Sequence, residues 1–153
     1  EGGYAPNVRD GNNEPLECIK LAIEKAGYVP GKDVCIAMDI ASSEFHNGDH
    51  YELKTNGDWK SADDLINWYQ WIIDNYPVVS IEDGLSESDW ANWTEMTKRI
   101  GDKCQLVGDD LFVTNTKLLS RGIDEKAGNA ILIKPNQIGS LTETIDAGKE
   151  GWL

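Results

Sequence analysis

The sequence predicts an α/β fold that forms about four βα units of a (β/α)8 TIM-like barrel. Three observations lead to this prediction: four short apolar runs are typical of buried strands, amphipathic helical stretches lie between them, and a charged residue ends each run. Strands that alternate with helices form parallel sheets, so their carboxyl ends lie along one edge, here called the carboxyl edge. In a barrel, catalytic residues come from the C-terminal ends of several strands.

A doubly wound open sheet is the alternative architecture, since it has the same alternation of strands and helices. A dinucleotide-binding sheet should carry G-x-G-x-x-G after its first strand, and a phosphate-binding loop should carry G-x-x-x-x-G-K-[ST]. The sequence contains neither motif. A charged residue at the end of each of four strands therefore favours the barrel.

The first half of the chain predicts one strand between two helices. A loop over residues 1–12 precedes a helix over residues 14–26, whose apolar face is Leu16, Ile19, Ala22, Ile23 and Ala26. A strand over residues 34–40 follows, and then a polar loop or hairpin over residues 42–60, in which YELK lies between two turn signals. Ser61 and Asp64 form a predicted capping box. The helix that they begin has a core stripe of Leu65, Trp68, Tyr69, Ile72, Ile73 and Tyr76, and ends before Pro77.

The second half continues the same alternation of strands and helices. Strands are predicted over residues 78–81, 105–108 and 130–133. Ser88 should cap the helix after the first of these, with Trp90 and Trp93 packed in the core rather than forming a platform for a ligand. Further helices should begin after caps at Asn115, ending at Gly122, and at Ser140, where Glu143 completes a capping box.

The chain is strongly acidic: 27 acidic and 14 basic residues among 153 give a formal net charge of −13. This balance disfavours binding to nucleic acid or to an anionic membrane, which needs clustered Lys and Arg, and it is compatible with divalent cations. No apolar run approaches the ~18 residues of a membrane span. The three cysteines form no CxxC motif, which predicts a reducing cytosol, and Cys35 and Cys104 are predicted as small core residues.

Three predicted strands end on a carboxylate. Asp39 closes VCIAMDI, Glu82 closes VVSIED and Asp109 closes QLVGDD. Neighbouring strands lie ~4.8 Å apart, so three adjacent strand ends can reach one ion, and Mg2+ prefers a few carboxylates with water and substrate oxygens. We predict a metal site of Asp39, Glu82 and Asp109; the alternative, that each acid only caps the segment after it, stays open.

A second acid follows two of these residues, as Asp83 follows Glu82 and Asp110 follows Asp109. Because consecutive strand residues point to opposite faces, only one member of each pair can point into the site. We predict that Glu82 and Asp109 point inward and that Asp83 and Asp110 take supporting positions.

Lys134 directly follows the fourth predicted strand. Beside a bound dication, like charge would lower the pKa of this lysine, and such a lysine can act as a general base near neutral pH. The alternative is an ion pair with a nearby acid.

Five segments resemble those of a known family and occur in its order. They are EGGYAPN, AMDIASSEF, PVVSIEDGLSESDW, QLVGDDLFVTN and LIKPNQIGSLTET, and they extend from Glu1 to about Ala147. The chain thus resembles the enolase family, whose members dehydrate 2-phosphoglycerate to phosphoenolpyruvate in glycolysis. A lysine base beside Mg2+ is also the arrangement of enolase-superfamily sites. The resemblance implies a Mg2+-dependent carbon–oxygen lyase on a partial barrel of the enolase type.

The resemblance also implies roles for individual residues. Asp39, Glu82 and Asp109 match the ligands of a tightly held Mg2+, and Lys134 matches the base that removes the carbon-2 proton. Glu1 matches the acid that helps the 3-hydroxyl leave as water. Glu82, Asp109 and Lys134 match substrate-binding positions as well, and a second Mg2+ would join with the substrate.

For the rest of the protein, the resemblance implies that residues 1–153 are a fragment of the C-terminal barrel domain. An N-terminal domain and the last barrel units would lie outside it, so this chain alone should be inactive. A homodimer and a cytoplasmic location are implied, with cell-surface or secreted forms also known for the family. Two other classes remain open: a Mg2+-dependent superfamily lyase or racemase acting on another carboxylate, and a non-catalytic, acidic cation-binding fragment.

Overall fold

A computed structural model describes residues 3–9, 11–53 and 58–151. Helices alternate with the strands of a parallel sheet, as predicted. In chain order the elements are α1 Glu14–Lys25, β1 Ile36–Asp39, a 3₁₀ turn Ser42–Phe45, β2 His46–Asn47, β3 His50–Leu53, β4 Asp58–Lys60, α2 Ala62–Asn75, β5 Val78–Glu82, α3 Trp90–Ile100, β6 Gln105–Gly108, α4 Thr116–Glu125, β7 Ala130–Ile131, α5 Pro135–Ile138 and α6 Leu141–Glu150.

Two sheets are present in the described part of the chain. The parallel sheet has the order β1-β5-β6-β7, and this arrangement confirms the predicted α/β fold and fits part of a barrel. The second sheet, β2-β3-β4, is antiparallel and occupies the predicted loop or hairpin over residues 42–60. Since all four parallel strands run in one direction, their last residues meet at the carboxyl edge.

The core lies between the parallel sheet and helices α2 and α3. The predicted stripe of α2 faces the sheet, with Tyr69 and Ile72 fully buried. Trp90 and Trp93 of α3 are also buried, and the indole N–H of Trp93 donates to the carbonyl oxygens of Leu85 and Ser86. The prediction that these tryptophans pack in the core is therefore confirmed.

Helix starts were predicted well, with one exception. Ser61 and Asp64 form the predicted capping box, and the side chains of Asn115 and Ser140 cap α4 and α6. The prediction of Ser88 as the cap of α3 is wrong: Asp89 is the N-cap residue and makes no capping bond with its side chain. The backbone N–H of Ser88 instead donates to the Ser86 hydroxyl, which holds this residue in the preceding turn.

The predicted end of α4 at Gly122 is wrong, because the helix continues to Glu125. A Cβ atom on Gly122 would lie 2.4 Å from the ring of Phe112. Gly122 is therefore needed because the Phe112 ring packs directly against the helix backbone. The helix ends at its C-cap residue Lys126, which has left-handed backbone geometry with φ +56°.

The apolar runs overestimate the length and burial of the outer strands. β1 has four residues and β7 only two, whereas strands over residues 34–40 and 130–133 were predicted. β7 is the last strand in the sheet order, so within the described ranges it pairs with β6 alone. Ala130 and Ile131 are only half-buried, and Ile133 is exposed. The prediction of this run as a buried strand is therefore wrong for the described chain.

Helix α1 buries less of its apolar face than its periodicity predicts. Leu16 and Ile23 are buried, but Ile19, Ala22 and Ala26 are exposed. The spacing identified the helix correctly, while burial depends on which elements pack against it.

No helix in the described ranges has both the length and the apolar character needed to cross a membrane.

The cysteines separate into two exposed thiols and one buried thiol. Cys18 and Cys35 are exposed, so the prediction of Cys35 as a core residue is wrong, while Cys104 is buried as predicted. Val34 and Cys35 precede β1 instead of belonging to it, which places the thiol outside the core. Burial raises the pKa of Cys104 to about 11.

We expect two of the three thiols of the 153-residue chain to react quickly with a thiol reagent at pH 8. Because the thiolate is the reactive form, a pKa of about 11 leaves Cys104 with about 100-fold less thiolate at this pH than an ordinary thiol has, and burial slows its reaction further. Time-resolved labelling followed by mass spectrometry measures the three rates. Cys104→Ser should remove the slow phase and leave the fast ones, whereas three equally fast thiols in the folded chain would contradict the described burial.

Candidate active site

Three strand ends bring acidic side chains to the carboxyl edge. Asp39 and Glu82 are register partners at the ends of β1 and β5. Glu82 is also the partner of Val107 in β6, so Asp109 lies just beyond that strand. The parallel alignment thus places all three predicted metal ligands on one edge of the sheet.

Asp83 connects the ends of β5 and β6. Its carboxylate oxygens accept the backbone N–H groups of Asp109 at 3.0 Å and Asp110 at 2.9 Å. The residue is buried and has left-handed backbone geometry, with φ +43°, and its carbonyl oxygen accepts the Ser42 hydroxyl at 2.7 Å. Asp83 therefore supports the chain that carries Asp109.

The carboxylates form two overlapping groups. Oxygens of Asp39, Glu82 and Asp83 lie within 4.8 Å of one another, as do those of Asp83, Asp109 and Asp110. Among the described residues, the predicted set of Asp39, Glu82 and Asp109 does not form such a group by itself, and Asp83 belongs to both groups. The choice of Glu82 and Asp109 over Asp83 and Asp110 as ligands remains a prediction.

Burial and mutual repulsion raise the pKa values of several acids at this edge. Burial raises the pKa of Glu82, and the nearby charges of Asp39 and Asp109 raise it further. Burial likewise raises the pKa of Asp83 to about 6, against the effect of its backbone hydrogen bonds, and it raises that of Asp110. Partly desolvated carboxylates that repel one another are stabilised by a cation, and an all-oxygen donor set suits a hard cation such as Mg2+.

Lys134 reaches the same group of acids. It is the N-cap residue of the short helix α5, and its ammonium group donates a hydrogen bond to Asp109 Oδ2. This bond raises the pKa of Lys134. The side chain is 40% exposed and that of Asp109 10% exposed, so the ion pair lies at the border between core and solvent. The ion pair considered for Lys134 is thus present, and a role as base needs a competing positive charge near Asp109.

Gln137 is a further polar contact of this site. Its side-chain amide donates to Asp109 Oδ1 at 2.8 Å, so Lys134 and Gln137 hold opposite oxygens of one carboxylate. The sequence shows Gln137 three residues after Lys134 within KPNQIG. Only the short helix α5 reveals that this spacing brings both side chains to Asp109.

The remaining predicted site residue is not described, and the two histidines join neither of the described carboxylate groups. Glu1, the predicted acid, lies outside the described residues. The His50 ring packs against Trp59 in the antiparallel sheet, with ring centroids 3.7 Å apart and planes tilted by 41°, and His46 packs beside Tyr51. These histidines therefore belong to the small sheet rather than to the ends of the parallel strands.

A cavity of about 460 Å³ lies beside β1, and it does not coincide with the acidic site. Among the described residues, its lining includes Asp39 but not Glu82, Asp109 or Lys134. Most of the lining is apolar, with Leu16, Ile36 and Trp68 among its residues. The candidate site is therefore the group of acids at the carboxyl edge with Lys134, where the titratable side chains cluster.

Comparison with known proteins identifies relatives of the chain. The family model described as "Enolase, C-terminal TIM barrel domain" matches residues 1–152. The chain is 58% identical to "Enolase 1" of Methanospirillum hungatei and 55% identical to "Enolase" of Natranaerobius thermophilus, each over 147 residues and 96% of this chain. These residues are 34% of each relative, so the chain spans about a third of the length of the curated relatives it matches.

Proposed function

Since the chain belongs to the enolase family and matches its C-terminal TIM barrel domain, we propose that the whole protein dehydrates 2-phospho-D-glycerate to phosphoenolpyruvate. Both named relatives are enolases, and enolase is a lyase. The observation that carries the proposal is the convergence of Asp39, Glu82, Asp109 and Lys134 at one edge of a parallel sheet. Such an arrangement combines oxygen ligands with an amine that can accept a proton.

The carboxylate oxygens at the carboxyl edge are of the type that Mg2+ prefers. Carboxylates of Asp39, Glu82 and Asp109 would hold the ion, with Asp83 supporting Asp109 through the backbone. When bound, Mg2+ supplies positive charge that stabilises the negative charge developing on the substrate carboxylate. We propose two such ions per site in the whole protein, by resemblance to the family.

Lys134 would perform the proton abstraction. Its amine takes the proton from carbon 2, and the electron pair left on carbon forms the bond to carbon 3 as the 3-hydroxyl departs. Glu1 would donate a proton to that hydroxyl, so that water leaves. Glu82 and Asp109 would also contact the substrate, which keeps the reacting carbon near Lys134.

The proposal extends to the rest of the protein. We propose that an N-terminal domain and further barrel units lie outside residues 1–153, and that the whole protein is a cytoplasmic homodimer that binds no nucleic acid. Residues that complete the substrate site would then come from other segments. Sedimentation of the whole protein would test the dimer.

The proposed function predicts Mg2+-dependent turnover by the whole protein and none by the 153-residue chain alone. Phosphorus NMR can follow 2-phosphoglycerate and phosphoenolpyruvate directly. Chelation of Mg2+ should stop the reaction, and added Mg2+ should restore it. Absence of turnover by a folded, Mg2+-loaded whole protein would contradict the proposal and favour another carboxylate substrate.

A further inference from the structure

Thr114 and Gln137 connect the proposed base to a proposed metal ligand. The Thr114 hydroxyl donates to Gln137 Oε1 at 3.0 Å, and the Gln137 amide donates to Asp109 Oδ1 at 2.8 Å. The backbone N–H of Lys134 donates to the Thr114 hydroxyl oxygen at 2.9 Å. Because the Lys134 ammonium group donates to Asp109 Oδ2, the contacts close a ring. We call Asp109, Thr114, Lys134 and Gln137 the hydrogen-bonded ring.

Donor and acceptor roles in the hydrogen-bonded ring are fixed by chemistry. An ionised carboxylate only accepts, so Gln137 must present its NH2 group to Asp109 and its oxygen to Thr114. The single hydroxyl proton of Thr114 is given to Gln137, which leaves its oxygen free to accept from Lys134. The orientation of each side chain in the ring therefore determines whether the next one meets a donor or an acceptor.

Thr114 occupies an unusual position for its residue type. It is fully buried and has φ +57°, in the left-handed region. β-Branched residues rarely adopt this conformation, and strained backbone persists only where the surroundings determine it, often at active sites. At this position the Thr114 hydroxyl donates to Gln137 and accepts the backbone N–H of Lys134, so its surroundings determine the strained conformation.

We propose that Thr114 and Gln137 are positioning residues for the proposed dehydration. Lys134 has to release Asp109 in order to take a proton from the substrate. Gln137 then still holds the other oxygen of Asp109, and Thr114 still holds the Lys134 backbone, so both groups keep their places. The inference rests on the proposed function, since it assigns these residues to that reaction.

The first test compares hydroxyl and amide variants of the whole protein. Loss of a group that orients a metal ligand typically costs ~10- to 100-fold in activity or metal affinity. We expect Thr114→Val and Gln137→Met to lower kcat by this factor with a smaller change in KM, and Thr114→Ser to retain more of kcat than Thr114→Val. If circular dichroism shows that Thr114→Val does not fold, the test uses Gln137→Met.

Thr97→Val is the matched control. The Thr97 hydroxyl also accepts a backbone N–H, from Gly128 at 2.8 Å, and donates to a carbonyl, that of Trp93, at 2.8 Å. Gly128 lies before β7, away from the carboxyl edge, so the control removes a similar bridge without touching the site. An equal loss of kcat in Thr97→Val and Thr114→Val would overturn the positioning role.

A second readout does not depend on turnover. Competitive labelling of amines, read by mass spectrometry, compares Lys134 with the exposed Lys117. Opening the hydrogen-bonded ring should release Lys134 from Asp109 and increase its labelling relative to Lys117 in both variants. Increased labelling in a protein that does not convert 2-phosphoglycerate would overturn the proposed function and support the ring; parental kcat and parental labelling in both variants would overturn the ring.

Discussion

Lys134→Ala in the whole protein is expected to abolish exchange of the carbon-2 proton of 2-phosphoglycerate with solvent, while the substrate still binds. Its ammonium group contacts Asp109 at the carboxyl edge, and its side chain is partly exposed, so the amine can reach a bound substrate. Asp109 raises the pKa of Lys134, and a cation that shares the charge of Asp109 would favour the neutral amine. Loss of a general base costs ~100- to 10,000-fold.

Deuterium wash-in at carbon 2, followed by NMR with saturating Mg2+ and substrate, measures this step separately from water loss. Lys117→Ala is a suitable control. Lys117 is exposed on α4, so this substitution removes the same charge without removing a contact of Asp109. Exchange at the parental rate in Lys134→Ala would show that another group is the base. Lys134 would then have only the ion-pair role seen with Asp109.

Local sequence signals predicted the order and type of the main helices and parallel strands. The capping box of Ser61 and Asp64 and the caps at Asn115 and Ser140 depend on contacts within one turn, so they can be inferred without tertiary structure. Gly122 shows the limit of such signals. Its role is to admit the Phe112 ring, and a helix stop and a close contact are indistinguishable in sequence.

The candidate site was predictable only in part. Strand ends placed Asp39, Glu82, Asp109 and Lys134 on one edge, because parallel strands share a direction. Alternation of side chains could not describe Asp83, since the strand ends at Glu82 and Asp83 takes left-handed geometry. Its bonds to the backbone of Asp109 and Asp110, just after β6, are tertiary contacts.

The hydrogen-bonded ring was not predictable at all. Thr114 is 20 residues from Lys134 and 23 from Gln137 in sequence. Nothing in the VTN segment indicates a buried hydroxyl, and α5 was not predicted as a helix. The ring exists because the turns after β6 and β7 meet at the carboxyl edge.

Asp109→Asn is expected to lower Mg2+ affinity by at least the ~10- to 100-fold that loss of a supporting group costs. The amide keeps the size of the carboxylate but removes one negative charge and one acceptor oxygen, and its NH2 group would face either Gln137 or Lys134, both of which donate. Asp39→Asn should act in the same direction, although its contacts differ, since Asp39 Oδ1 accepts the Ala41 backbone N–H at 3.1 Å. Isothermal titration of the whole protein with Mg2+ measures both effects.

Asp102→Asn separates a ligand effect from a change in overall charge. Asp102 lies in the turn between α3 and β6, at the opposite end of that strand from Asp109, so its replacement changes the net charge equally without altering the carboxyl edge. Because a ligand is lost only at that edge, Asp109→Asn and Asp39→Asn should weaken binding far more than Asp102→Asn does. Unchanged Mg2+ binding in both site variants would remove these residues from the ligand set, and weaker binding in Asp83→Asn alone would transfer the assignment to Asp83, the acid that belongs to both carboxylate groups.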